Sequence, residues 1–114
     1  MAEFAIVTWS VTRGCIEKHE KSVRRILDYW HKNAERFKLK SLRYYERIPR
    51  DGSSTSRRVM VYEFDSPEDF ECFQREMSDD KTARRLRNQL YANIDMKTYK
   101  SEHWLEKQRD LWFE

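Results

Sequence analysis

The sequence predicts an α+β fold in which one four-stranded antiparallel sheet carries all of its helices on a single face. Three observations lead there. Segments Phe4–Val11 and Val59–Phe64 alternate as strands do, yet both of their faces are apolar or aromatic. The strand-like segments Leu39–Ile48 and Ile94–Tyr99 carry charge on one side, as edge strands often do. Helical periodicity fills the intervals between strands, and its stripes look able to cover only one sheet face.

The first strand is expected over Glu3–Thr12. Phe4, Ile6 and Thr8 share one face, and Ala5, Val7, Trp9 and Val11 the other. Arg13-Gly14 breaks it. From Ile16 the positions Ile16, His19, Val23, Ile26, Leu27, Trp30, Ala34 and Phe37 recur at intervals of three and four, one face of a long amphipathic helix. Glu17, Lys18, Lys21, Arg24, Arg25 and Asp28 form its solvated back.

Leu39–Ile48 alternates again, with Leu42, Tyr44, Glu46 and Ile48 opposing Arg43, Tyr45 and Arg47. Pro49-Arg50-Asp51-Gly52 and the Ser/Thr run after it make a turn-rich loop, so Arg57–Phe64 reads as the second arm of a hairpin. Ser66-Pro67-Glu68-Asp69 is a helix start: a capping hydroxyl, a proline at the first position and two acids at the positive helix end. Phe70, Phe73 and Met77 form the buried stripe. Ser78-Asp79-Asp80 restarts a second helix with Ala83, Leu86 and Leu90 inward and Arg84, Arg85 and Arg87 largely outward. In the last strand Ile94, Met96 and Thr98 are expected on one face, against Asp95, Lys97 and Tyr99. Residues 1–100 then make one domain. Residues 101–114 make a helical tail, with Trp104, Gln108, Leu111 and Trp112 at helical spacing, packing on the domain or on a partner.

This β-α-β-β-α(α)-β order is the split βαβ, or ferredoxin-like, arrangement, with sheet order 4-1-3-2 and the two-sided strands at its centre. One central face would stay bare. Leaving each large side chain there in water forfeits about 1.5–3 kcal/mol, roughly 10 kcal/mol over five or six of them, which rivals the stability of a small domain. A partner should cover it.

Composition narrows the function classes. The 114 residues suit one domain, and 39% hydrophobic residues suffice for a core. A net charge of +3 comes from 23 basic and 20 acidic residues with no long single-sign block, so nucleic acid is possible but not required. An RNA-recognition motif would want a Gly and stacking rings where the third strand has Arg58, Val59 and Val61, which counts against RNA on the sheet. No apolar run nears the ~18 residues of a membrane span, and no signal-like N-terminus stands out. Cys15 and Cys72 have neither metal-site spacing nor disulfide density, so a reducing cytoplasm is the expected compartment.

The strand around Val7-Thr8-Trp9, the long helix from Ile16 and the passage Tyr62-Glu63-Phe64-Asp65-Ser66-Pro67-Glu68-Asp69-Phe70-Glu71-Cys72-Phe73 resemble the dimeric α/β-barrel superfamily. That superfamily includes antibiotic-biosynthesis monooxygenase-like and NIPSNAP-like domains. The resemblance implies a homodimer with sheets face to face and a small cavity between each sheet and its helices. Members use such cavities for cofactor-independent oxygenation, isomerisation or haem degradation. The Asn, Trp and His of the haem-degrading type have no matching set here, since the first strand offers Thr8 and Trp9 but no Asn. No cofactor or metal is expected.

Candidate site residues follow. His19, on the apolar helix stripe, could contact a ligand or act as a base near neutral pH, or be a partly wet helix-end histidine. Tyr44 and Tyr62 could orient a mainly apolar or aromatic ligand with their hydroxyls, and Trp9 could line the same space, although such residues more often pack in cores and interfaces. Glu46 and Glu63 are either perturbed carboxylates or simple partners of nearby arginines. Cys15 near a helix start lacks a local His or acid that would make it a nucleophile. His31 and His103, among charged neighbours, are expected at the surface. The alternatives to a ligand-binding dimer are a non-enzymatic stress-related or scaffolding dimer and a nucleic-acid-binding module using Arg84, Arg85 and Arg87.

Overall fold

The computed structural model describes residues 1–52 and 55–114. Its elements are β1 (Glu3–Val11), α1 (Ile16–Lys32), β2 (Ser41–Glu46), β3 (Arg57–Phe64), α2 (Pro67–Asp79), α3 (Lys81–Tyr91), β4 (Ile94–Leu105) and a 3-10 turn at Arg109–Leu111. The sheet is antiparallel with order β2-β3-β1-β4, the expected ferredoxin-like arrangement with the two-sided strands in the middle. Ser53 and Ser54, part of the expected hairpin loop, lie outside the described residues. Before them a turn closes from the Gly52 amide to the Pro49 carbonyl at 2.9 Å, with Gly52 at φ 77°, a conformation glycine adopts without steric cost.

Between sheet and helices lies an aromatic core. Trp30 meets Phe37 edge to face at 4.8 Å between ring centroids, and Phe73 packs 5.1 Å from Trp30 and 5.2 Å from Phe64. Helix α1 is shorter than its stripe suggested. It stops at Lys32, and Phe37 reaches the core from a turn that ends with Lys38 at φ 57°. Periodicity continues through a turn that keeps the chain against the same core, so it overshoots the helix end. Ser66 caps α2 by accepting from the Asp69 amide at 3.2 Å. Asp80 caps α3 at the Ala83 amide at 2.8 Å, and takes the Tyr29 hydroxyl and the Arg36 guanidinium as well. Burial works against charge on Asp80, but these three partners outweigh it and hold the carboxyl below its usual range.

Strand β4 departs from expectation in two ways. Against β1 its register jumps. Thr8 pairs with Lys100 and Ser10 with Asp95, so a two-residue step on β1 meets a five-residue step on β4. The bulge takes up an odd number of extra residues and therefore reverses the alternation. Ile94 faces the core, but Met96 is exposed, and half-buried Tyr99, with Ser101 and His103 exposed at the rim, takes the helix-side face in place of the expected Met96 and Thr98. The Ser10 amide, left without its ladder partner, donates to Thr98 Oγ1 at 2.8 Å. Second, residues 101–105 continue β4 rather than begin a helix, and only Arg109–Leu111 of the tail is helical. Trp104 and Leu111 mimic helical spacing, yet pairing of Glu3 through Thr8 with the second half of β4 prevails.

The sheet face turned from the helices carries Phe4, Ile6, Val59, Val61, Tyr45 and Trp104. Trp104 is 57% and Tyr45 46% exposed. No described helix is long and apolar enough to cross a membrane.

Candidate functional site

Small side chains on the sheet floor create a cavity beneath the helices. Ala5 and Val7 of β1 and Ser101 of β4 lie beneath helices whose larger residues cannot descend far enough to fill the space, leaving about 140 Å³. Trp9, Met60 and Tyr62 extend the floor, Phe70, Phe73 and Met77 of α2 form one wall, and Arg87 and Tyr91 of α3 form another. Tyr99 and His103 close the side beyond the β4 bulge, where the His103 ring meets Phe70 edge to face at 4.5 Å. An engineered apolar cavity of about 150 Å³ takes up benzene, so this volume suits a single ring.

The polar groups of the cavity are concentrated at the α3 wall. The Arg87 guanidinium lies over the Tyr91 ring at 6.0 Å, and the Tyr91 hydroxyl donates to that of Tyr99 at 3.2 Å. Burial pushes the phenols of Tyr62 and Tyr99 well above the ordinary tyrosine range, so both stay protonated donors, although the Arg87 charge pulls the other way.

A second cluster adjoins the cavity behind Trp9. The Trp9 indole N–H donates to His19 Nε2 at 2.9 Å, which places the proton of neutral His19 on Nδ1. His19 is fully buried, and Nδ1 has no partner in hydrogen-bond geometry. Burial depresses its pKa; Glu20 and the Leu90 carbonyl oppose this, and Arg58 adds to it. Tyr44 donates to Glu20 and accepts from Arg58 Nε at 2.9 Å. Burial, followed by Glu20, drives the Tyr44 phenol far above its ordinary range. Arg58 is itself buried, ion-paired to Glu46 at 3.4 Å and Glu20 at 3.8 Å, and donates to the carbonyls of Thr55 and Arg57. A buried cation so fully matched with acceptors is a structural clamp between α1, β2 and β3.

The four residues singled out from sequence thus divide. Trp9 and Tyr62 border the cavity; His19 and Tyr44 stand in the adjoining cluster, with Trp9 shared between the two at ring distances of 5.6 and 6.3 Å. Glu46 pairs with Arg58, and Glu63 pairs with Lys40 at 3.7 Å and accepts from Ser41 at 2.8 Å, as solvated or paired carboxylates would. Cys15 is half-buried at the start of α1, and His31 is exposed. No group of three or more metal-ligating side chains converges among the described residues.

Tyr91 and Tyr99 escaped the sequence reading as cavity residues, Arg87 was expected outward, and His103, exposed as expected, also borders the cavity. For Arg87 a signal existed. It lies four residues after Ala83 and three before Leu90, on the inward stripe of α3, so it does not form one outward row with exposed Arg84 and Arg85. Tyr99 was hidden by the bulge, and the rim contact of exposed His103 with Phe70 by the helical reading of the tail.

No family model matches the sequence, and no curated protein matches it significantly. Solved structures do match its fold. A NIPSNAP family protein from Agrobacterium tumefaciens superposes with a TM-score of 0.69 at 13% identity over 96% of each chain. A mutant of SnoaB, a cofactor-independent oxygenase from Streptomyces nogalater, gives 0.68 at 12% identity over 94% of each chain. A dimeric protein of unknown function and ferredoxin-like fold from Bacteroides fragilis gives 0.60 at 10% identity over 90% of this chain and 94% of that one. Such likeness places the chain in the ferredoxin-like fold shared by NIPSNAP and antibiotic-biosynthesis-monooxygenase-like proteins.

Proposed function

We propose that this protein is a homodimer that binds a small, mainly aromatic ligand in the cavity between sheet and helices, one site per subunit. The observation that carries the reading is the void above Ala5 and Val7, walled by aromatic rings and provided with tyrosine hydroxyls. A cavity of this size weakens packing, and a core with no use for it would be filled at little cost. Apolar walls supply affinity, and a few polar groups at one end fix orientation.

Trp9 and Tyr62 contact the ligand in this reading, while His19 positions Trp9 through the indole hydrogen bond rather than serving as a base, because it does not border the cavity. Tyr44 acts further back, through Glu20 and Arg58. The bare sheet face with Phe4, Val61, Tyr45 and Trp104 meets its twin. Fold kinship with a cofactor-independent oxygenase supports oxygenation without a cofactor as the chemistry to examine first, ahead of isomerisation. Exposed Arg84 and Arg85, parted from inward Arg87, weigh against a nucleic-acid surface.

The test is a titration with phenol, followed by quenching of the cavity tryptophans Trp9 and Trp30, on the natural chain and on Ala5→Leu, which fills the floor. Saturable quenching that Ala5→Leu weakens at least tenfold is the expected outcome. Equal binding to both would place phenol elsewhere and end the cavity reading.

A further inference from the structure

Arg87 is an arginine without an anion. Buried Arg58 has Glu20 and Glu46, exposed Arg36 has Asp80 at 3.0 Å and Glu76 at 3.7 Å, and half-buried Arg57 at least donates to the Ser10 hydroxyl at 3.4 Å. Arg87 makes no ion pair among the described residues, in a chain with 20 acidic residues. Its Nε is buried with no hydrogen-bond acceptor, and its terminal nitrogen reaches only the Met77 sulfur, at 3.9 Å. A thioether is a weak acceptor, and a buried donor left unmade is costly. Such a group at the wall of a cavity is matched by something that enters the cavity.

The surroundings describe that something. A guanidinium offers a planar fork that suits a carboxylate with two parallel hydrogen bonds. The protonated phenols of Tyr62 and Tyr99 stand near the same charge and can donate to the carboxylate as well. Away from Arg87 the lining is apolar, with Ala5, Val7 and Phe73, and the volume admits one ring. We propose that the ligand is a single-ring aromatic acid whose carboxylate pairs with Arg87 while its ring lies over Ala5 and Val7. This rests on the ligand-binding reading above and sharpens its ligand class.

The experiment is isothermal titration of the full chain at pH 7.5 with benzoate, with its neutral isostere benzamide and with inorganic phosphate, repeated on Arg87→Met and Arg87→Lys. The expected result is benzoate binding at least tenfold tighter than benzamide. That preference should vanish in Arg87→Met and be partly kept in Arg87→Lys, with benzoate weakened more than benzamide in both. Arg87→Met should melt close to the natural chain, since it removes a cation without a counter-ion and loses only the contact with the Tyr91 ring. If Arg87→Met does not fold, Arg87→Lys decides: the same bidentate loss should still cut the preference severalfold. Equal binding of benzoate and benzamide, or a preference that survives Arg87→Met, would overturn the acid assignment and leave the aromatic cavity standing. Phosphate binding as tightly as benzoate would overturn the aromatic part in favour of a simple anion site. Failure of benzoate and benzamide alike would remove both this inference and the reading on which it rests.

Discussion

Buried His19 makes the stability of this protein depend on pH in a definite direction. Its imidazole is fully buried, accepts the Trp9 N–H at Nε2 and has its pKa lowered chiefly by desolvation, with Arg58 adding and Glu20, together with the Leu90 carbonyl, opposing. The unfolded imidazole takes up its proton near pH 6.5, the folded one only at lower pH. Above pH 6.5 both states are neutral and the full stability is present. As pH falls below that point, the unfolded chain binds a proton the folded chain refuses, and stability is lost by up to about 1.4 kcal/mol per pH unit. Between pH 7.5 and 5.5 the loss has a ceiling of about 1.4 kcal/mol, reached when the folded site stays neutral over the whole interval. His19→Gln supplies the control. Its carbonyl can still accept from Trp9, but it cannot titrate. His19→Leu, in contrast, strands the buried indole N–H and should cost about 1–3 kcal/mol at every pH. Urea unfolding followed by tryptophan fluorescence, at a fixed protein concentration so that assembly does not enter the comparison, measures all three. A His19→Gln variant that loses as much stability as the natural chain between pH 7.5 and 5.5 would refute the assignment of that dependence to His19.

Three other outcomes follow from the same structure. Val61→Glu, on the bare sheet face, should turn a dimer into a monomer of 14.1 kDa by sedimentation equilibrium; a natural chain that is already monomeric would dispose of the face-to-face assembly. Arg58→Met removes the clamp on Glu20, Glu46 and Tyr44 and should lower stability by about 1–3 kcal/mol, less than a fully buried pair because both glutamates are partly exposed. An unchanged urea midpoint would show that the clamp is not stabilising. Phe73→Ala opens the aromatic core between Trp30 and Phe64 and should cost about 3–5 kcal/mol by the same assay, with a smaller loss meaning that the neighbouring rings collapse into the gap.

Much of the fold was legible because local and global signals agree. The two-sided strands Phe4–Val11 and Val59–Phe64 take the central positions, and Ser66-Pro67 and Asp80 begin helices where their chemistry suits a helix start. The site was half legible. Trp9 and Tyr62 are where strand alternation places them, since the β1–β3 pairing is regular throughout. His19 reads as a site residue from its place on an apolar stripe, but burial alone cannot separate a ligand contact from a partner of Trp9, and that distinction needs the distance between them. Beyond Asp95 the reading fails for a physical reason. Alternation is a local rule, and nothing in Met96-Lys97-Thr98-Tyr99 announces that the pairing strand skips there. Arg87 is misplaced because charge argues for exposure on a helix whose periodicity turns that position inward.

The bulge in β4 separates two jobs within one strand. Before it, Ile94 closes the hydrophobic core; after it, Tyr99, Ser101 and His103 belong to the cavity. Length between Asp95 and Lys100 therefore works as a selector of chemistry. Removing or adding one residue there would exchange the cavity wall for its outer side, bringing Lys100, Glu102 and Trp104 to the side of Ala5 and turning Tyr99 and His103 away from the cavity. A change of two residues would preserve the wall and alter only its rim. Relatives of this chain can thus diverge in what they hold by insertions of different parity in a single edge strand, without a substitution anywhere in β1 or β3.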